Sequence, residues 1–309
     1  MRITVLYGGP SAERDISLIS GRAVIDALKQ AGHDVFASDV SPTDLSGLDR
    51  PCDVVFPVLH GQFGESGELQ EILEARRIPF VGSGSHASRI AMDKVETKLV
   101  WERAGLPTPT WNVATRQVGD AVRGPNRIAA PCVVKAIASG SSIDVYVCKE
   151  ESAARDACET VLNKYGQALI EKFIAGTELT VGILEEKPLA PIKITTTRAF
   201  FDYNAKYVGN DAKHDFDLNL PEKVVKRCQE LARQAHEAVG CRDLSRVDIM
   251  LDAELNPYLL EINTLPGFTS KSLLPEAAAH DGIDFVKLVD RLVKRAAKRG
   301  PTTDAANAA

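Results

Sequence analysis

The chain has 309 residues, 44% of them hydrophobic and 26% charged, with a formal net charge of −5. This is the composition of a soluble globular protein with room for one very large domain or two to three ordinary ones, and the absence of a basic block argues against a nucleic-acid partner. No apolar run nears the roughly 20 residues that span a bilayer, and the N-terminal apolar stretch is broken at Gly8-Gly9, too soon for a signal peptide. Six scattered cysteines without a Cys-x-x-Cys pair read as reduced thiols of a cytoplasmic protein, several of them in the core.

The first third alternates strand and helix: strand 3–7, helix 16–31, strands 34–40 and 53–59, helix 67–75 and a short strand 78–81. Such alternation predicts a parallel sheet wrapped by helices, with ligands at the carboxyl ends of its strands. Two loops fall at such ends, residues 8–15 with Glu13 and residues 60–67 with His60. The first is not Gly-x-Gly-x-x-Gly, so no dinucleotide fingerprint is present. Glu13 near a helix start suits the helix dipole, or it is a carboxylate that receives an ammonium.

A helix is expected over 88–104, then a boundary at Gly105-Leu106-Pro107-Thr108-Pro109. The apolar strand 131–135 ends in Lys135 and leads into the small-residue loop Ala138-Ser139-Gly140-Ser141-Ser142, with a strand from 144 to 148 behind it. A lysine ahead of such a loop offers a point charge and backbone N–H groups to a triphosphate; the alternative is a hairpin turn with a snorkelling lysine. The Walker order, with lysine after the glycines, is absent. Helix 151–165 and strands 168–174, 178–185 and 187–197 follow, carrying Glu171, Lys172 and Glu178. The aromatic stretch 198–207 reads as a lid or binding loop, and residues 221–239 as a helix.

Residues 245–251 and 258–263 are apolar runs around a turn-rich segment, which predicts a β-hairpin. A symmetric hairpin sets Asp248 opposite Glu261 and Arg246 opposite Asn263 on one face, leaving Val247, Ile249, Leu251, Tyr258, Leu260 and Ile262 for the core. Two facing carboxylates about 5 Å apart repel by about 3 kcal/mol at an effective dielectric near 20, so either the face is solvated or a cation lies between them. Oxygen-only donors suit Mg²⁺. The loop 264–270 lies just beyond, an amphipathic helix is expected over 285–299, and residues 300–309 read as a frayed tail.

Together these stretches resemble the D-alanine–D-alanine ligases of the ATP-grasp superfamily, from Gly8 to about Pro275. The resemblance is carried by Gly8-Gly9-Pro10-Ser11-Ala12-Glu13, His60-Gly61-Gln62-Phe63-Gly64-Glu65-Ser66-Gly67, Ala91-Met92-Asp93-Lys94 with Thr97-Lys98, and Glu171 with Gly176, Glu178 and Leu179. It continues through Tyr203 and Ala205-Lys206-Tyr207 (the ω-loop), Arg246-Val247-Asp248, Glu261-Ile262-Asn263-Thr264, Pro266-Gly267 and Ser272-Leu273. It implies an α/β, three-domain ATP-grasp fold, divided here at 1–94, 95–180 and 181–309, and an enzyme that joins two D-alanines at the expense of ATP through a D-alanyl phosphate. It further implies that Lys94 and Lys135 hold phosphates, that Glu171, Lys172, Ile174 and Glu178 hold adenine and ribose beside Met250, and that Phe200 and Lys206 join the nucleotide site. Asp248, Glu261 and Asn263 would bind two Mg²⁺ ions, with Mn²⁺ an alternative. Glu13 would take the first D-alanine's ammonium near His60, with Ser141 and Tyr207 completing a hydrogen-bonded set. Arg246 and the Gly267 backbone would steady an oxyanion, and Ser272 and Leu273 would receive the second carboxylate. A homodimer, a cytoplasmic location and a role in peptidoglycan synthesis are implied in the same way.

The sequence departs from the family pattern after Lys135, where Ala136, Ser139 and Asp144 replace Pro, Glu and Gly, and at Asp243, where Gly is usual. An acid at 144 beside a phosphate loop either weakens ATP binding or points away; with Lys135, Gly140 and Ser141 retained, ATP binding is expected to survive. Two other readings stand beside the ligase: the same fold with D-lactate, D-serine or another amino acid as second substrate, and a nucleotide-binding relative that does not ligate. Ala205-Lys206-Tyr207 favours D-alanine, and the retained metal end disfavours the non-ligating reading.

Overall fold

The computed structural model describes residues 1–116, 128–140, 143–196 and 212–301. Phe200, Tyr203, Lys206 and Tyr207, expected in a lid or ω-loop, Ser141 and residues 302–309 lie outside them.

The first third folds as expected. Strand β1 (Arg2–Tyr7), helix α1 (Arg14–Gln30), strand β2 (Asp34–Asp39) and strand β3 (Val54–Pro57) form a parallel sheet of order β2-β1-β3. Buried Ser17, Ser20, Gly21, Val24 and Leu28 recur on one face of α1, the spacing that lays a helix on a sheet. Helix α2 (Gln62–Glu65), a single turn inside the His60 loop, and helix α3 (Glu68–Ala75) follow. The strand expected over 78–81 is reduced to one bridge, Val55 to Phe80.

The single helix expected over 88–104 is two, α4 (Ser85–Met92) and α5 (Lys94–Arg103). Asp93 takes an extended ψ of 108° and its carboxylate accepts the N–H groups of Val95 and Glu96. It is the N-cap of a new helix, and a cap of this strength outweighs continuation of the old one.

Strands β4 (Trp111–Thr115), β5 (Cys132–Lys135) and β6 (Val145–Cys148), helix α6 (Glu151–Tyr165) and strand β7 (Gln167–Lys172) build an antiparallel sheet of order β4-β7-β5-β6, with α6 on one face. The largest sheet then takes β8 (Thr177–Leu184), β9 (Lys187–Pro188), β10 (Ile192–Thr196), β11 (Ala212–Asp215), β12 (Leu244–Leu251) and β13 (Pro257–Asn263). Its order among the described residues is β11-β10-β8-β12-β13, with β9 on β8. Helix α7 (Glu222–Val239) backs this sheet, and helices α8 (Leu273–His280) and α9 (Phe285–Arg299) close the chain. The apolar face of α9, Leu288, Val289, Leu292 and Val293, joins one core with Ile3, Val5, Val24 and Leu28, so the last helix seals the first sheet. Among the described residues no helix is long and apolar enough to cross a membrane.

The hairpin keeps its expected register for half its length: Arg246 pairs with Asn263, Val247 with Ile262 and Asp248 with Glu261. A β-bulge then shifts the register, and Ile249 pairs with Leu259. Leu259 is therefore the buried core residue, while Leu260 lines a cavity beside Glu261. The expectation that Leu260 and Tyr258 face the core fails because a bulge adds a residue and reverses the alternation beyond it.

Candidate active site

Three cavities lie in a row along the hairpin. The first, about 440 Å³, opens between the two antiparallel sheets and is lined by Lys135, Glu171, Lys172, Ile174, Glu178, Asp248, Met250 and Glu261. Every described residue expected to hold adenine or ribose is here. Val133, Val147, Met250 and Leu260 supply apolar walls, the environment a flat heterocycle needs. Gly176 allows the edge to close: a Cβ at this position would sit 1.7 Å from the Leu251 carbonyl oxygen.

The floor of this cavity is a buried charge triad. The Glu171 carboxylate is 2% exposed, with the Lys98 ammonium against one oxygen and the Lys135 ammonium against the other. Burial alone would raise the Glu171 carboxyl, but the Lys135 and Lys98 ammoniums outweigh it and hold it near 2. Lys98 also donates to Thr108 Oγ1 at 2.5 Å, and Thr108 Oγ1 donates to the Leu259 carbonyl at 2.9 Å.

The second cavity is lined by Glu13, His60, Glu65, Lys94, Arg246, Glu261, Asn263 and Gly267. Glu13, from the loop after β1, and His60, from the loop after β3, meet there because parallel strands end on the same side. Burial pushes the His60 imidazole down, so it is held neutral. Glu65 was not anticipated as a site residue. Its Oε2 accepts the Gly61 N–H at 2.6 Å, and burial together with nearby Glu13 pushes its carboxyl up to about 8. The one available signal was its place four residues after Gly61 in a loop at a strand end. The loop after Lys135 is docked over this cavity: Lys94 Nζ donates to the Ser139 carbonyl at 2.6 Å and Gln62 Nε2 to the Ala138 carbonyl at 3.1 Å. A Cβ on Gly140 would lie 3.7 Å from Glu13 Oε2, so this loop reaches Glu13.

The third cavity is lined by Arg246, Gly267, Ser272, Leu273, His214 and Ile16. Ser272 Oγ accepts the Thr269 N–H at 3.0 Å, which folds the loop before α8 into a tight turn. The cavities share residues at their junctions. Glu261 lines the first and second, and Arg246 and Gly267 line the second and third.

Asp248 and Glu261 face each other as expected, and Asn263 lies on the same side of β13, its Oδ1 accepting the Leu265 N–H at 2.9 Å. Arg246 holds Asp248 through two bonds, Nε to Oδ1 at 2.9 Å and Nη2 to Oδ2 at 2.8 Å, and Thr180 Oγ1 donates to Oδ1 at 2.6 Å. Lys94 Nζ stands 3.8 Å from Glu261 Oε2. A hard, oxygen-only donor set opposed across a firm hairpin fits a divalent cation such as Mg²⁺.

The description D-ala D-ala ligase C-terminus matches residues 100–294, and D-ala D-ala ligase N-terminus matches residues 38–83. The chain is 40% identical over 298 residues to a D-alanine–D-alanine ligase of Anaeromyxobacter sp. (strain K), covering 96% of this chain and 97% of that one. The chain belongs to the D-alanine–D-alanine ligase family. A member from Gloeobacter violaceus is 42% identical over 299 residues, covering 96% and 99% of the two chains. The crystal structure of the Bacillus anthracis ligase complexed with ATP superimposes with a TM-score of 0.83 at 30% identity, over 97% of this chain and 99% of that one.

The departures from the D-alanine–D-alanine ligase pattern have a local account. Asp144 stands at φ 55°, the left-handed region that favours glycine. Its side chain turns away from the cavities, accepting from Tyr146 at 3.2 Å and Lys164 at 2.7 Å and pairing with the Tyr165 hydroxyl. Asp243, at φ 64°, is fully buried and takes the Gly82 N–H at 2.9 Å and the guanidiniums of Arg295 and Arg299. Both aspartates fill a glycine's backbone niche with a partnered side chain.

Proposed function

We propose that the chain joins two D-alanines into D-alanyl-D-alanine, with ATP cleaved to ADP and phosphate, as a step of peptidoglycan precursor synthesis. One observation carries this: three cavities in a row, with a candidate metal ligand at the first junction and a guanidinium with a glycine backbone at the second. A carboxylate is a poor electrophile. Its activation requires phosphoryl transfer between the first cavity and the second, and amide formation requires a second amine to arrive from the third.

Lys135, Lys172, Ile174, Glu178 and Met250 hold the nucleotide, Glu171 faces adenine from the cavity floor, and Lys94 and Lys135 meet the phosphates. Asp248, Glu261 and Asn263 hold two Mg²⁺ ions, or Mn²⁺. Such ions, when bound, neutralise charge on the transferring phosphoryl group. Glu13 receives the first D-alanine's ammonium beside neutral His60, which turns its carboxylate toward the Glu261 junction. The carboxylate oxygen attacks the γ-phosphorus, the bond to the β-phosphate oxygen breaks, and ADP leaves. Ser272 and Leu273 hold the second carboxylate, so its amine reaches the acyl carbon beside Arg246. Arg246 and the Gly267 N–H stabilise the resulting oxyanion until phosphate departs. Phe200 and Lys206 are assigned to the nucleotide, and Ser141 and Tyr207 to a hydrogen-bonded set with Glu13, all four lying outside the described residues; excluding water protects the acyl phosphate from hydrolysis. The division at 1–94, 95–180 and 181–309 is supported by one sheet falling mainly in each segment, with β8 straddling the second boundary. We place the protein in the cytoplasm as a homodimer, where ATP is available.

Phosphate release from Mg-ATP tests this, with D-alanine, L-alanine, D-serine or D-alanine plus D-lactate, and the product identified by mass. Release that requires D-alanine and yields the dipeptide is expected. Preference for a mixed pair identifies a different second substrate, and nucleotide binding without turnover returns the question to Ala136 and Ser139.

A further inference from the structure

Lys98 has no place in the chemistry above, yet it is a lysine with 0% exposure, which is rare without a fixed partner. It lies one helical turn beyond Lys94 on α5 and reaches Glu171 from the side opposite Lys135. We propose that Lys98 is a positioning residue for the nucleotide: it is the permanent counter-ion of Glu171, and it thereby frees Lys135 to serve the phosphates. This rests on the proposed nucleotide site.

In the ligand-free arrangement Glu171 has two ammonium partners, one per oxygen. When Lys135 gives its charge to a phosphate, Glu171 loses half its compensation while staying in the cavity floor. A buried carboxylate left alone is strongly unfavourable, so with Lys135 as its one partner it would hold that lysine back. Lys98 removes the conflict because it cannot follow: its ammonium is fixed by Thr108 Oγ1, which is fixed in turn by the Leu259 carbonyl on β13. Burial pushes Lys98 down from the usual lysine range, and the Glu171 carboxylate, with Glu102 from the next turn of α5, acts against that push. The anchor also links the nucleotide floor to the strand that carries Glu261 and Asn263.

Calorimetric titration of Mg-ADP requires no turnover and so separates this proposal from the ligase reading. Lys98→Met keeps length and apolar stem and removes the charge. It is expected to weaken Mg-ADP roughly tenfold, the size of one lost charged contact. At saturating ATP, kcat and the KM for D-alanine should stay within about twofold of wild type, whereas the KM for ATP rises with the dissociation constant. Because Lys98 acts through Glu171, adding Lys98→Met to Glu171→Gln should weaken Mg-ADP no further. Thr108→Val, which loosens the anchor and leaves the lysine, should shift affinity in the same direction by a smaller factor. Unchanged Mg-ADP affinity in Lys98→Met, or a full further loss in the Glu171→Gln background, overturns the proposal. A Lys98→Met protein that does not fold, with Thr108→Val at wild-type affinity, overturns it as well and leaves Lys98 a purely structural residue. Wild-type protein that does not bind Mg-ADP overturns the nucleotide site itself.

Discussion

Glu65 shows how much a single side chain's surroundings decide. A glutamate titrates near 4.3 in an unfolded chain, whereas burial and nearby Glu13 push this one up to about 8, against the pull of the Gly61 N–H. The folded protein therefore binds this proton more tightly than the unfolded chain does. The stabilisation is complete below about pH 4 and is lost as pH rises toward 8, at up to about 1.4 kcal/mol per pH unit. Glu65→Gln removes the titration. The variant's melting temperature relative to wild type should therefore climb between pH 5 and pH 8 in a calorimetric series, and a constant difference across that range would refute the assignment. Legibility at this scale was uneven. The acids and lysines proposed for substrate, phosphate and metal stood out as residue types at loop and strand ends. Glu65 and Lys98 did not, because their importance comes from burial, which local sequence does not report.

Among the elements, the hairpin of β12 and β13 was the most legible and also the most instructive. Alternation placed Arg246, Asp248, Glu261 and Asn263 on one face, and the pairing agrees. It misplaced Leu260, because the bulge after Asp248 depends on how the strands meet their neighbours. The break between α4 and α5 was written in Asp93 with Glu96 three residues on, an N-cap pattern that the apolar periodicity masked. Gly176 belongs to this scale as well. Its substitution by alanine would drive a Cβ into the Leu251 carbonyl, so β8 or the β12–β13 turn must give way. Gly176→Ala is expected to cost about 1–3 kcal/mol in urea unfolding and to weaken nucleotide binding together with stability. Wild-type stability would mean that the turn yields freely.

Across the whole molecule, the last helix is held by charge as well as by its apolar face. Arg299 donates to buried Asp243 and to the Phe80 carbonyl at 2.7 Å, joining the end of α9 to the first third of the chain and to the turn before β12. Arg291, on the same helix, pairs with Glu185 beyond the end of β8, but its side chain is 42% exposed. Removing one partner of a buried carboxylate costs far more than removing an exposed pair. Because Asp243 keeps Arg295 and the Gly82 N–H, Arg299→Met is expected to lose about 2 kcal/mol in urea unfolding, and Arg291→Met under about 1 kcal/mol. Equal losses would show that Asp243 does not anchor the helix.

The sequence by itself determined the order and type of most elements, the parallel first sheet, the facing acids of the hairpin and the family to which the chain belongs. These follow from short-range rules, namely the periods of helix and strand, turn residues, and motifs at strand ends. Tertiary structure alone decided that Lys98, Glu171 and Lys135 form one buried triad and that the Asp144 side chain turns away from the cavities. It alone set the three cavities in a row, with Glu261, Arg246 and Gly267 at their junctions. Those outcomes depend on partners distant in the sequence meeting in space, as Lys98 and Lys135 do across Glu171 and Lys164 does at Asp144, and such partners leave no local pattern in the chain.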